Sequence, residues 1–149
     1  MRIKKIISCV LCAALLLTFL PAPAHAVTLT AINDSILPLD ESTMPARLGG
    51  GTYVPYSVFT TLGVSASEND GVLDLSANGE TLSFSTAEGY VYDQNLNSYS
   101  TPAYEMNGTV YVPVKLCCGK FGLSYSTLSF SGETVLRVTD GSAQSDSSF

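Results

Sequence analysis

Residues 51–66 read Gly-Thr-Tyr-Val-Pro-Tyr-Ser-Val-Phe-Thr-Thr-Leu-Gly-Val-Ser-Ala, and residues 108–125 read Gly-Thr-Val-Tyr-Val-Pro-Val-Lys-Leu-Cys-Cys-Gly-Lys-Phe-Gly-Leu-Ser-Tyr. These stretches are two copies of one pattern. Tyr53-Val54-Pro55 matches Tyr111-Val112-Pro113, and Leu62-Gly63-Val64-Ser65 matches Phe121-Gly122-Leu123-Ser124. Two copies about 58 residues apart predict one compact pseudo-symmetric domain, or two small halves that share a core.

Each copy has the composition of a short strand followed by a short helix. The residues before the Pro are β-branched or aromatic, as strands prefer, and Pro suits the first turn of a helix. Apolar residues at i, i+3, i+4 and i+7 from Pro55 predict one buried helical face. Gly63 and Gly122 are then placed to end the two helices in the left-handed conformation.

A hairpin is predicted after each helix. Its turn is Asn78-Gly79 in the first copy and Ser131-Gly132 in the second. We therefore predict an α+β fold with two strand–helix–hairpin repeats, over about 44–84 and 101–138. In this fold, short antiparallel strands pack on two short helices.

Residues 1–26 have the composition of a secretory signal peptide. A positively charged start precedes an apolar run from Ile6 to Leu20, and Ala24-His25-Ala26 fits the small-x-small cleavage rule. The run is shorter than the roughly 20 residues of a membrane-spanning helix, and Pro21 ends it. We expect cleavage rather than retention as an anchor. The product is predicted to be secreted or cell-wall-associated, with no membrane segment after cleavage.

Removal of the signal peptide changes the net charge of the chain and removes its His residue. Residues 27–149 hold four basic residues against 13 acidic ones, a net charge of −9 in place of −6. They hold no His, because His25 leaves with the signal, and this excludes nucleophiles with an imidazole base. It also removes the His ligands common in zinc and copper sites. An acidic chain without Lys/Arg clusters is a poor partner for nucleic acid. We predict no catalytic residue, cofactor, metal site or nucleic-acid partner.

The repeated pattern resembles the copper amine oxidase N-terminal-like domain, also called a stalk domain, of exported proteins in Gram-positive bacteria of the Firmicutes type. Asn107-Gly108-Thr109-Val110-Tyr111-Val112-Pro113 is the closest stretch, and the resemblance covers residues 27–138. The copies depart from the family at Gly49-Gly50-Gly51 and at Cys117-Cys118-Gly119. The tail, 139–149, is rich in Ser, Asp and Gly, and its composition predicts disorder.

The resemblance implies a mixed α/β module and not amine oxidation. That activity belongs to a separate domain with His copper ligands and a Tyr preceded by Asn, whereas Val91 precedes Tyr92 here. The resemblance leads us to expect a non-catalytic, exported, cell-envelope-associated binding or structural module. Its expected partner is cell-wall polysaccharide or another envelope protein. The alternative is a small secreted hydrolase or inhibitor-like regulator, and a purely structural stalk or oligomerisation unit is a third hypothesis.

Four tyrosines crowd the segment between the repeats: Tyr90, Tyr92, Tyr99 and Tyr104. Tyr90 and Tyr92 are two residues apart, so a strand would direct both to one face. These four residues are the candidate ligand surface, since exposed aromatic rings can stack on a ligand. Packing of the rings on a sheet face is the alternative. Tyr53 and Tyr111 occupy equivalent repeat positions and are expected in the core.

Two further features have structural interpretations. Cys117 and Cys118 are adjacent, which does not suit a disulfide between them. We expect Cys117 to pack as a small apolar side chain, and the alternatives are pairing between molecules or a redox or metal function. Glu68-Asn69-Asp70-Gly71 lacks the spacing of a calcium loop. We interpret it as a turn between the first helix and its hairpin.

Overall fold

The structure is a computed structural model that describes residues 28–149. The predicted signal peptide, 1–26, lies outside the described residues. The strands of the described part are β1 (Thr28–Ile32), β2 (Ser35–Ile36), β3 (Ala46–Leu48), β4 (Gly51–Pro55), β5 (Ser65–Asn69), β6 (Val72–Ala77), β7 (Glu80–Ser85), β8 (Val91–Asp93), β9 (Tyr104–Met106), β10 (Thr109–Pro113), β11 (Ser124–Phe130) and β12 (Glu133–Thr139). The helices are α1 (Ser57–Thr61), α2 (Val114–Phe121) and a 3₁₀ turn at Asp146–Ser148.

The prediction of an α+β fold, with strands packed on two helices, is wrong. Strands hold 48% of the described residues and helices 13%, and the strands form three four-stranded sheets. The α-helices have only five and eight residues, one to two turns each. Gly63 and Gly122 stop them at φ 86° and 71°, so the predicted left-handed helix ends are confirmed. The helices are too short to form a layer of their own.

Tight two-residue turns explain why so much of the chain is strand. Both residues of each turn have positive φ, the type I′ geometry whose twist matches that of a hairpin. The predicted turns at Asn78-Gly79 and Ser131-Gly132 are confirmed. Asp70-Gly71 forms another, between β5 and β6. Glu68 and Asn69 therefore belong to a strand that the sequence analysis missed.

The two repeats meet in the middle of the central sheet, whose order is β3-β4-β10-β9. Strands β4 and β10 are antiparallel and pair Val54 with Val112, Tyr53 with Pro113 and Pro55 with Tyr111. The Tyr-Val-Pro triplet of one repeat therefore pairs antiparallel with the Tyr-Val-Pro triplet of the other. This pairing places a local twofold axis at the Val54–Val112 pair. Each repeat runs as strand, turn, strand, helix and hairpin: β3-β4-α1-β5-β6 and β9-β10-α2-β11-β12.

Different strands complete the two outer sheets. The hairpin β5-β6 is extended by β7 and β8, in the order β5-β6-β7-β8. The hairpin β11-β12 is extended by β1 and β2, in the order β11-β12-β1-β2. There β1 runs parallel to β12, with Thr28 aligned to Thr134 and Ile32 to Val138. The first and last strands of the described part therefore lie side by side.

One cluster of buried apolar residues draws on all three sheets and both α-helices. Helix α2 contributes Val114, Cys117, Cys118 and Phe121, which have the three- and four-residue spacing of a single helical face. The opposite face, which includes Lys115 and Gly119, is left exposed. Among residues 28–149, no helix has the length and apolarity needed to cross a membrane.

Arg137 of β12 is charged and yet only 1% exposed. Its guanidinium donates hydrogen bonds to four partners: the carboxylates of Asp34 and Asp146 and the carbonyl oxygens of Asn33 and Gln144. The Phe149 ring lies 4.6 Å from its central carbon. Residues 144–149 of the tail, whose composition predicts disorder, thus lie against the sheet β11-β12-β1-β2.

Candidate ligand-binding groove

A groove of about 530 Å³ lies beside α2. One wall is the exposed face of α2, and the others are the β3–β4 hairpin and the loop at 99–101. The lining residues are Gly49, Gly51, Thr52, Tyr53, Tyr99, Ser100, Thr101, Pro113, Lys115, Leu116, Gly119 and Lys120. The groove therefore combines apolar and aromatic walls with hydroxyl groups and two ammonium groups, as small-molecule and polymer sites commonly do.

The charged residues that line the groove are both basic, whereas the chain as a whole is acidic. Lys115 is exposed and makes no ion pair with any described residue. Lys120 lies 2.8 Å from the carboxylate of Asp93 and 3.5 Å from that of Glu80. No acidic residue, His or Cys is among the lining residues. Half of the basic residues in 28–149 thus face one cavity of a chain with net charge −6.

The four predicted tyrosines lie in three settings. The rings of Tyr90 and Tyr92 lie 5.3 Å apart, so these two do share a face of the strand. Tyr104 instead packs edge-on against Tyr53 at 5.2 Å. Only Tyr99 lines the groove, and the Lys120 ammonium lies 5.3 Å from its ring centre. Tyr53 is 3% exposed, in agreement with its predicted core position.

A buried carboxylate, that of Asp93, binds two residues of the groove lining, Tyr99 and Lys120. The side chain of Asp93, at the end of β8, is fully buried. It accepts hydrogen bonds from Lys120, Asn97 and Tyr99 and from the backbone N–H groups of Asn95 and Asn97. The hydrogen bond from Lys120, followed by that from Asn97, holds the pKa of Asp93 well below its usual range. The hydrogen bond to Asp93 raises the pKa of Lys120.

Sequence reasoning missed both Asp93 and Lys120. The available signal was an Asp at the end of a strand followed by two Asn residues, since these side chains bond to the backbone of tight loops. The partner, Lys120, comes from the second repeat, 27 residues further along. No short-range pattern joins the two positions, because the contact depends on how α2 packs against the sheet β5-β6-β7-β8.

We expect Lys120→Met to destabilise the protein, because it leaves the Asp93 carboxylate without its cation. Asp93 has a depressed pKa, so its contribution is complete above its ordinary value of 3.8 and is lost as pH falls below that value. Lys120 has a raised pKa, so its contribution persists up to 10.5 and is lost as pH rises further. The urea midpoint should therefore fall at neutral pH, and by much less near pH 2.

Lys115→Met is the matched control, since Lys115 lies on the same helix without an ion pair. Its urea midpoint at neutral pH should shift several-fold less than that of Lys120→Met. Equal shifts in the two variants, or a Lys120→Met deficit that does not change with pH, would contradict the assigned role of the ion pair.

Cys117 and Cys118 are free thiols that pack in the core, with exposures of 0% and 2%. Burial raises the pKa of Cys118 to about 12. Burial also raises the pKa of Cys117, and the neighbouring Cys118 contributes to this shift. Both groups are therefore protonated at neutral pH and shielded from partners. This agrees with the interpretation of Cys117 as a small apolar core residue.

A second, smaller cavity of about 250 Å³ is lined by two carboxylate residues, Glu68 and Glu105. Both residues are exposed, and no hydrogen bond or ion pair with a described residue fixes either side chain. Within residues 28–149, no group of three or more His, Cys, Asp or Glu side chains is placed to hold a metal ion.

Comparison with known proteins leaves the site to be interpreted from its own residues. The resemblance to the stalk domain rests on the Tyr-Val-Pro repeats and the glycines that follow them, and it stays a prediction. The chain matches no protein-family model, no curated protein and no solved structure.

Proposed function

We propose that this chain is a non-catalytic, exported binding module of the cell envelope, and that the groove beside α2 holds its ligand. The signal-peptide composition and the resemblance to stalk domains support the exported setting. The observation that carries the proposal is the lining of the groove. It offers Tyr99, Lys115, Lys120 and several hydroxyl groups, and the described residues that line it include no carboxylate, His or Cys.

This lining favours binding over hydrolysis. Hydrolysis of a glycosidic bond needs two carboxyl groups held at a defined separation, and the groove has none. Glu68 and Glu105 line the second cavity, but both are exposed, and their side chains make no hydrogen bond with a described residue. Catalytic groups are held by surrounding contacts, so this pair does not support the hydrolase alternative.

The charge of the groove favours an anionic ligand. Lys115 is an exposed ammonium with no partner among the described residues, and it is available for a charge-assisted hydrogen bond. The chain is otherwise acidic and would repel an anionic polymer elsewhere on its surface. We therefore propose a segment of an anionic cell-wall polymer, with hydroxyl groups and phosphate or carboxylate groups, as the ligand.

The test is sedimentation of the purified protein, residues 27–149, with Gram-positive cell walls before and after acid extraction of their anionic polymers. We expect binding to the intact walls, a loss of binding after extraction, and weaker binding at higher salt. Lys115→Gln should raise the dissociation constant roughly tenfold, because it removes one charge-assisted contact.

The control is Thr60→Glu, which changes the net charge by the same one unit at an exposed position outside the groove lining. It should leave the affinity within about twofold of the unmodified protein. Equal binding to extracted walls, or equal losses in the two variants, would overturn the proposal. Capture of an envelope protein in place of wall polymer would overturn the polymer as ligand.

A further inference from the structure

The open edges of the three sheets differ greatly in length. Four edge strands, β2, β3, β8 and β9, have only two or three residues. The two long edges are β5, with five residues, and β11, with seven. Short edges offer few unpaired backbone groups, whereas a long edge is a template for another strand. The two long edges are therefore the places where the fold can accept one.

Strand β11 lacks the features that usually block an edge. Its sequence, Ser-Tyr-Ser-Thr-Leu-Ser-Phe, has no charged residue, no Pro and no Gly. Strand β5 carries Glu68, and Asp70 follows it directly. Charged side chains and Pro are the common means by which proteins protect an edge from pairing, so β11 is the unprotected one.

The outer edge of β11 is free in the structure. Its register with β12 runs without interruption from Ser124–Thr139 to Phe130–Glu133, so no bulge twists it away. No backbone hydrogen bond joins residues 124–130 to any other described segment. Tyr125 and Phe130 are 42% and 41% exposed, a large apolar exposure for one strand.

The tail contacts β11 through side chains and does not pair with its outer edge. The hydroxyl of Ser126 is hydrogen-bonded to the carboxylate of Asp146 at 3.2 Å, and the rings of Phe130 and Phe149 lie 6.0 Å apart. These contacts come through side chains, which project from the sheet faces and not from its edge. They hold the strand in an extended conformation, so that β11 loses little further conformational entropy when a partner strand pairs with it.

We propose that β11 pairs antiparallel with β11 of a second copy of this chain, which joins two four-stranded sheets into one of eight strands. A register centred on Thr127 would place Thr127 opposite its counterpart and Tyr125 opposite Ser129. Every pair in this register is uncharged. The strand is self-complementary, because a copy of β11 brings no like charges opposite each other, whereas two chains of net charge −9 over residues 27–149 repel each other at their acidic surfaces.

The test is sedimentation equilibrium of the chain purified from the medium of secreting cells, over rising concentrations. We expect a monomer–dimer equilibrium. Thr127→Lys and Thr127→Glu should each weaken the dimer at least tenfold, because like charges then face each other in the central pair. An equimolar mixture of the two variants should form a heterodimer, since Lys then faces Glu. Circular dichroism checks that each variant is folded.

Ser67→Lys in β5 is the control, because it places the same charge in the centre of the other long edge. It should leave the dimer unchanged. A protein that stays monomeric at all concentrations, dimerisation that Thr127→Lys does not weaken, or failure of the two Thr127 variants to associate would each overturn the proposal. Failure of the groove to bind wall polymer would not affect it, because the two surfaces share no residue.

Discussion

Arg137→Ala should lower the free energy of unfolding by about 3 kcal/mol, which is at the lower end of the range for breaking a buried ion pair. The guanidinium is 1% exposed and donates to two carboxylates and two carbonyl oxygens. Asp34 and Asp146 are themselves 43% and 49% exposed. Water can therefore solvate both carboxylates in the variant, and this limits the loss. Urea unfolding followed by circular dichroism measures the effect.

Arg47→Ala is the matched control, because Arg47 is exposed and has one side-chain hydrogen bond, to Thr52. Its loss should stay below about 0.5 kcal/mol. Arg137→Lys should fall between the two, since an ammonium keeps the charge but cannot reach four partners in the fork geometry. A loss for Arg137→Ala as small as that of Arg47→Ala would show that the tail does not hold Arg137 in solution.

The second large effect is expected at the centre of β6. Leu75→Ala should lower the free energy of unfolding by about 3 kcal/mol, within the range for Leu-to-Ala changes in a packed core. Leu75 is 0% exposed and is paired with Leu82 across the β6–β7 hairpin. The change leaves a cavity in the core cluster, which adds to the cost of the lost apolar burial. The same urea experiment measures it.

Leu96→Ala is the control for the same chemical change at the surface. Leu96 is 80% exposed, and its φ of 61° is equally unfavourable for Leu and Ala. Its effect should lie within about 0.5 kcal/mol of zero. Similar losses at positions 75 and 96 would contradict the placement of Leu75 in the core.

The local features of the fold were predictable because they depend on a few neighbouring residues. The helix stops at Gly63 and Gly122, and the turns at Asn78-Gly79 and Ser131-Gly132, follow from which residues tolerate positive φ. The predicted fold class was wrong, in part because strands such as β5 were missed: all five residues of β5 are exposed, so it has no alternating pattern. The same lack of pattern hides every strand whose side chains face solvent on both sides.

The site was less predictable than the fold. Tyr99 was a candidate and does line the groove, whereas Tyr90, Tyr92 and Tyr104 do not. Lys115 has no local sequence signal, since one Lys in a helix is usually a solvated surface residue. Its significance comes from the groove that the β3–β4 hairpin and the 99–101 loop form around α2. That arrangement depends on pairing between the repeats, which a sequence repeat predicts only in outline.

The parallel pairing of β1 with β12 also sets the time at which the molecule can fold. The ribosome makes β12 after β1, so Thr28–Ile32 must wait for a neighbour that lies roughly 100 residues downstream. At synthesis rates of about 5–20 residues per second, the wait is on the order of 5–20 seconds. During that time the nascent chain cannot close its first sheet. A chain with this topology leaves β1 without its parallel neighbour until β12 has been made, so the sheet β11-β12-β1-β2 is completed late.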